Sequence, residues 1–180
     1  MITVIIGTNR ADNIAQYFAI QYVKELQTQQ SEEVQLLDLA AIPHDWFHPD
    51  MYILEKQSAS LRAIQDQYIL PANKFVFVVP EYNGGNPGAL KAFIDGCSIR
   101  QYKGNFNRKK ALLAGVASGK AGNLRGMDHL TGVLNYLGTV VMPTKNPYSE
   151  IELLLNDNKE ITDPLTLKRI RDHVQEFIEF

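Results

Sequence analysis

Lys74-Phe75-Val76-Phe77-Val78-Val79-Pro80-Glu81-Tyr82-Asn83-Gly84-Gly85-Asn86-Pro87-Gly88-Ala89-Leu90-Lys91 decides the fold. Its first part is apolar at every position from Phe75 to Val79, as suits a strand buried on both faces, the central strand of a parallel sheet. Ligands of such sheets gather beyond the C-terminal ends of the strands. The next residues, Asn83, Gly84, Gly85, Asn86 and Pro87, predict a rigid, tightly turning loop with exposed backbone amides, and Pro87 suits the first turn of a following helix. A flat ring fits against a loop of this kind. The same composition also serves simple turns.

A second loop of the same placement lies at the start of the chain. Ile2-Thr3-Val4-Ile5-Ile6 is a β-branched strand, and Gly7-Thr8-Asn9-Arg10-Ala11-Asp12-Asn13-Ile14 leads from it into an amphipathic pattern. The first N–H groups of a helix have no intrahelical partner and carry the positive end of its dipole, so an anion binds there readily. Thr8, Arg10 and Asn13 add a hydroxyl, a fixed charge and an amide. The loop lacks the three spaced glycines of the dinucleotide fingerprint and the Gly-Lys-Ser/Thr ending of the triphosphate loop. It is therefore either an anion cradle of another kind or an ordinary strand-to-helix connection capped by Asn13.

Outward from these loops the chain alternates. Strands are predicted at Ile2 to Ile6, Val34 to Asp38, Lys74 to Val79, Ala111 to Val116 and Thr139 to Met142, each separated from the next by room for a helix. This gives an α/β fold, a five-stranded parallel sheet with helices on both faces. Ile14, Phe18, Tyr22 and Leu26 form the apolar stripe of the first helix, and Leu167, Ile170, Val174 and Phe177 that of the last. Asp163-Pro164 is a helix start, with an acidic N-cap and proline in the first turn. Pro43 to Gln57 and Pro143 to Lys159 read as loops.

The 180 residues suffice for one domain with a single substantial core. Lys and Arg number 18 against 20 Asp and Glu, so no basic footprint for nucleic acid or an anionic membrane exists. Small molecules are the expected partners. The chain enters a strand at once and no apolar run approaches a membrane span, and the one cysteine, Cys97, cannot form an intrachain disulfide; a cytoplasmic protein is expected. Cys97 reads as a small buried hydrophobe. The histidines at 44, 48, 129 and 173 do not fall at ligand spacing and read as surface or packing residues, so no metal site is expected.

In motif and order the chain resembles the NAD(P)H-dependent FMN reductases of flavodoxin-like fold, a family that includes quinone, azo-dye and chromate reductases. The resemblance rests on Gly-Thr-x-Arg-x-x-Asn at the start, on Pro80 to Lys91 with Ile94-Asp95, and on Ala117-Ser118-Gly119-Lys120-Ala121-Gly122-Asn123-Leu124-Arg125-Gly126. The Pro-Glu-Tyr-Asn-Gly element is the most specific. One departure is Gly96-Cys97 where relatives often place an aromatic residue after Ile-Asp.

The resemblance implies a flavodoxin-like doubly wound sheet. It implies that Thr8, Asn9, Arg10, Asn13 and Ile14 hold the phosphate of FMN and that Pro80, Glu81, Tyr82, Asn83, Gly84 and Gly85 line the ring. The turn from Ser118 to Gly122, with Gly119 and Lys120, would close the other side of the ring or of the ribityl chain. NADPH or NADH is then the co-substrate, a small-molecule electron acceptor the second, and the assembly a homodimer or homotetramer. Hydride chemistry belongs to the flavin, so no catalytic acid, base or nucleophile is nominated.

The rivals are a flavodoxin-type electron carrier, against which the near-neutral charge argues, and a flavin-binding regulatory protein. Arg10, always charged and fork-shaped, suits the phosphate of FMN or the 2′-phosphate of NADPH. Glu81 either accepts a hydrogen bond at the ring or a neighbour, or is a solvated or intersubunit charge. The aromatic segment His44 to Tyr52 either covers a neighbouring subunit's ring or forms an apolar cluster beneath a long loop.

Overall fold

A computed structural model describes all 180 residues. Its strands are β1 (Ile2–Ile6), β2 (Val34–Asp38), β3 (Lys74–Pro80), β4 (Lys110–Val116) and β5 (Val140–Tyr148), and its helices α1 (Ala15–Gln29), α2 (Ala59–Ile64), α3 (Gly88–Cys97), α4 (Tyr102–Asn105), α5 (Leu124–Tyr136) and α6 (Pro164–Glu179). All strand pairs are parallel, in the order β2-β1-β3-β4-β5. This is the flavodoxin-like order, and the strand order reverses between β1 and β3, where the crevice for a ligand opens.

The apolar run of β3 divides its side chains between two cores. Phe75, Phe77 and Val79 enter one with α2, α3 and α5, while Val76 and Val78 enter the other with α1 and α6. Burial on both faces explains the unbroken apolar run. Asp163 caps α6 as read, its Oδ2 accepting the N–H of Thr166 at 2.7 Å. Cys97 is fully buried, and burial pushes its thiol well up from its ordinary range.

The last strand departs from expectation. It does not stop at Met142 but runs to Tyr148, through Pro143 and Pro147. Ala111 pairs with Val141 whereas Leu113 pairs with Lys145, so β5 carries two extra residues in a bulge. An edge strand with a bulge tolerates proline, whose missing N–H faces no partner there. Residues 43 to 57 hold two short 3₁₀ turns, Pro49–Tyr52 and Leu54–Lys56.

His173 is a packing residue, 2% exposed, at the end of a buried polar chain. Its Nε2 lies 3.1 Å from the Thr144 carbonyl and must donate to it, so Nδ1 accepts from the Tyr22 hydroxyl at 2.8 Å. Tyr22 then accepts from the Tyr148 hydroxyl at 3.0 Å, and Tyr148 from the Asn146 amide at 3.2 Å. Burial pushes the imidazole down to about 4. Above the unfolded value near 6.5 both states are neutral and stability is full; between there and pH 4 only the unfolded chain takes up the proton, so stability falls with pH. Thermal melts should lose about 3 kcal/mol over that window, and His173→Gln should flatten the slope. An unchanged slope in the variant would place the acid sensitivity elsewhere.

Candidate active site

The first loop leaves β1 with its backbone tied to the sheet. Gly7 donates its N–H to the Val78 carbonyl at 2.9 Å, and a Cβ on Gly7 would stand 3.0 Å from Leu90. Thr8 is fully buried; its Oγ1 accepts the Arg10 N–H at 3.1 Å and lies 2.7 Å from the Tyr82 hydroxyl. Asn13 spends its side chain on the loop itself, donating to the Arg10 carbonyl at 2.9 Å and accepting the Gln16 N–H at 3.0 Å. Asn13 therefore acts as the cap of α1. The backbone N–H groups of residues 11 to 15 have no protein acceptor, and the Arg10 side chain is exposed beside them. The capped connection is therefore present, and the N–H groups it leaves unpaired are the donors that an anion cradle would use.

The second loop turns back on itself at once. Tyr82 and Gly85 exchange two backbone hydrogen bonds of 3.0 Å, and the central residues Asn83 and Gly84 have φ of 52° and 73°. Positive φ at both centres is the type I′ geometry, which Asn-Gly adopts at least cost. Glu81 faces a neighbour: its Oε2 accepts the Asn123 N–H at 3.1 Å, while the Asn123 amide donates to the carbonyls of Val79 and Pro80. The end of β3 is thereby fastened to the start of α5.

The third loop folds back over β4 and β5. Gly122, at φ 56°, packs on Pro147 so closely that a Cβ would fall 2.6 Å from Pro147 Cβ, and a Cβ on Gly115 would fall 2.1 Å from the Gly122 carbonyl oxygen. Ala117 donates its N–H to Tyr148 at 2.9 Å, and the Ser118 hydroxyl donates to Glu152 at 2.5 Å.

These loops enclose a cavity of about 310 Å³ at the C-terminal end of the sheet. Of the residues expected there, Arg10, Asn13, Ile14, Pro80, Glu81, Tyr82 and Ser118 line it, and Thr8 lies beneath, bonded to Tyr82. Asn83, Gly84 and Gly85 form the turn beyond the wall; Gly119 and Lys120 are exposed, and Gly122 braces Pro147. Asn9 points to a separate hollow with His44, Trp46, Phe47 and Gly88. Asp12 and Ala117, which lie within the segments read from the sequence, also line it, and Ala15, Val116, Ile151 and Glu152 complete the lining without having been read there.

With residues 1–151 the chain matches the family described as NADPH-dependent FMN reductase. The chain belongs to that family. It is 33% identical over 114 residues to an NAD(P)H-dependent FMN reductase of Pseudomonas aeruginosa, covering 63% of this chain and 58% of that protein. It is 29% identical over 112 residues to a 2-hydroxy-1,4-benzoquinone reductase of a Burkholderia species, covering 62% and 61%. The matched stretches thus span about six-tenths of these relatives. Among solved structures, the fold superposes on the flavoenzyme NAD(P)H:(acceptor) oxidoreductase FerB of Paracoccus denitrificans with a TM-score of 0.77, 25% identity and coverage of 99% and 94%.

In this FMN reductase family member the aromatic segment divides. Trp46 is 3% exposed, stands edge-on to Phe93 at 6.1 Å and donates to the Pro43 carbonyl, so it belongs to the main core, whereas Phe47 is 68% exposed. The cover expected from outside therefore does not include Trp46. A larger hollow of about 780 Å³ lies between α3 and α5, bordered by Ile94, Tyr102, Val133 and the outward Tyr136. It sits on helix flanks away from the strand ends, so the smaller cavity at the three loops is the better candidate for chemistry.

Proposed function

We propose that the protein is an NAD(P)H-dependent, FMN-containing oxidoreductase that reduces a small acceptor such as a quinone, flavin or azo compound. The observation that carries this reading is the set of unpaired N–H groups at residues 12 to 15 that lie, with Arg10, in the wall of the same cavity as the β3 and β4 loops. That donor set suits one terminal phosphate and offers no glycine-spaced turn for a pyrophosphate, which favours FMN over FAD.

Bound FMN supplies the hydride acceptor and the electrons for the second substrate. The chain's own residues position it. Arg10 and the α1 N-terminus hold the phosphate end, and the Thr8–Tyr82 hydrogen bond locks the phosphate loop to the ring loop, so Thr8 and Tyr82 act as a unit. The Asn83-Gly84 turn, stiffened by its paired backbone bonds, presents a fixed edge to the ring, with Gly85, Gly119 and Lys120 at the rim, Gly122 bracing the third loop on Pro147 and Asn9 turned to the neighbouring hollow. One exposed face then serves nicotinamide and acceptor in turn.

We further infer a cytoplasmic homo-oligomer, a dimer or tetramer; the apolar hollow between α3 and α5, with Tyr136 84% exposed, is the surface that favours it. The functional reading is tested by loading the protein with FMN and mixing it anaerobically with NADPH or NADH. Rapid bleaching of the flavin band, followed by recovery on adding a quinone, is expected. A flavin that stays oxidised with both nicotinamides would favour a carrier or regulatory protein.

A further inference from the structure

Glu152 forms part of the cavity wall from a segment that no motif pointed to. It follows β5, and the chain there is laced to the third loop: Ala117 donates its N–H to Tyr148 at 2.9 Å, Ile151 donates to Ala117 at 3.4 Å and Glu150 to Gly119 at 3.4 Å. Ile151, 5% exposed, anchors the segment in the core beside α1. Glu152 is thus delivered by a fixed backbone, and its Oε1 takes the Ser118 hydroxyl at 2.5 Å. Its other oxygen has no protein donor.

The cavity presents a chemical contrast. Arg10 and the unpaired N–H groups of residues 12 to 15 suit an anion, yet Asp12, Glu81 and Glu152 line the same space. Glu81 is committed to the Asn123 N–H and Asp12 sits on the cradle loop itself, which leaves Glu152 as the carboxylate of the opposite wall. A carboxylate facing an anion site repels its ligand unless that ligand also brings hydroxyl donors. An acidic acceptor opposite a phosphate cradle matches a polyol chain ending in phosphate, in the way a carboxylate reads ribose hydroxyls in dinucleotide sites.

We propose that Glu152, oriented by Ser118, is a binding residue for the hydroxyl groups of the ribityl chain and sets preference for flavins that carry them. The proposal rests on the FMN reading. It is tested by titrating wild-type and Glu152→Ala protein, by fluorescence quenching, with FMN and with an analogue whose chain is pentyl phosphate, which keeps ring and phosphate and lacks the hydroxyls. The variant should bind FMN about tenfold more weakly, as loss of a charge-assisted hydrogen bond requires. Its affinity for the analogue should equal or exceed that of wild type, because the carboxylate that repels a phosphate without hydroxyls is gone. Equal losses for both ligands, no loss, or tighter FMN binding by the variant would overturn the assignment. Wild-type protein that bound neither flavin would instead sink the FMN reading and this proposal with it, a result distinct from the others.

Discussion

Gly115→Ala is expected to lower the melting temperature by about 5–10 °C, because overpacking against a fixed backbone costs about 2–3 kcal/mol in a domain of this size. The added methyl group would stand 2.1 Å from the Gly122 carbonyl oxygen, 2.9 Å from Met127 Cε and 3.1 Å from Asn123 Cβ. The first of these is backbone and cannot swing aside. Gly122 cannot retreat either, since it already rests on Pro147 and holds φ at 56°, where a side chain is strained. The only relief is movement of the whole turn from Ala117 to Asn123, which carries Ser118 and the Asn123 clasp on Glu81, so flavin binding should weaken along with stability. Gly132→Ala is the contrast: its Cβ meets nothing within 4 Å on α5, and the exchange should be neutral or raise stability by about 0.5–1 kcal/mol. A Gly115→Ala protein that melts with wild type would show that the turn is not packed as described.

The elements legible in the sequence were those whose physics is local. β1 is a β-branched run and β3 and β4 are apolar runs, all buried on two faces, and the Asn83-Gly84 turn follows from the positive φ that those residues accept. The second half of β5 was hidden because Pro143, Lys145, Asn146 and Pro147 carry loop chemistry, and only an edge position with a bulge lets them pair. The cavity was half legible for a similar reason. Arg10 and Tyr82 sit in motifs, but the Thr8–Tyr82 bond joins residues 74 apart and has no local signature. Glu152 enters only through backbone bonds between segments over thirty residues distant, and an isolated glutamate in a loop looks like any solvated charge. Trp46 and Phe47 are adjacent yet point to core and solvent, a split that an aromatic-rich stretch does not announce.

Arg10→Ala is the second large effect, and its measurement tests the central claim that the loop after β1 is a cradle for the phosphate of FMN. Arg10 is exposed, so water screens it, and the loss should be about 1–2 kcal/mol, roughly tenfold in FMN affinity. Its side chain makes no bond within the protein, so the variant should melt like wild type. Asn13→Ala differs, because the lost cap of α1 costs about 1 kcal/mol of stability as well. The decisive experiment titrates wild-type and Arg10→Ala protein with FMN and with riboflavin, which lacks the phosphate. We expect wild type to bind FMN more tightly than riboflavin, with Arg10→Ala weakening FMN alone. Equal affinity of wild type for the two flavins, or equal losses for both in the variant, would contradict the account.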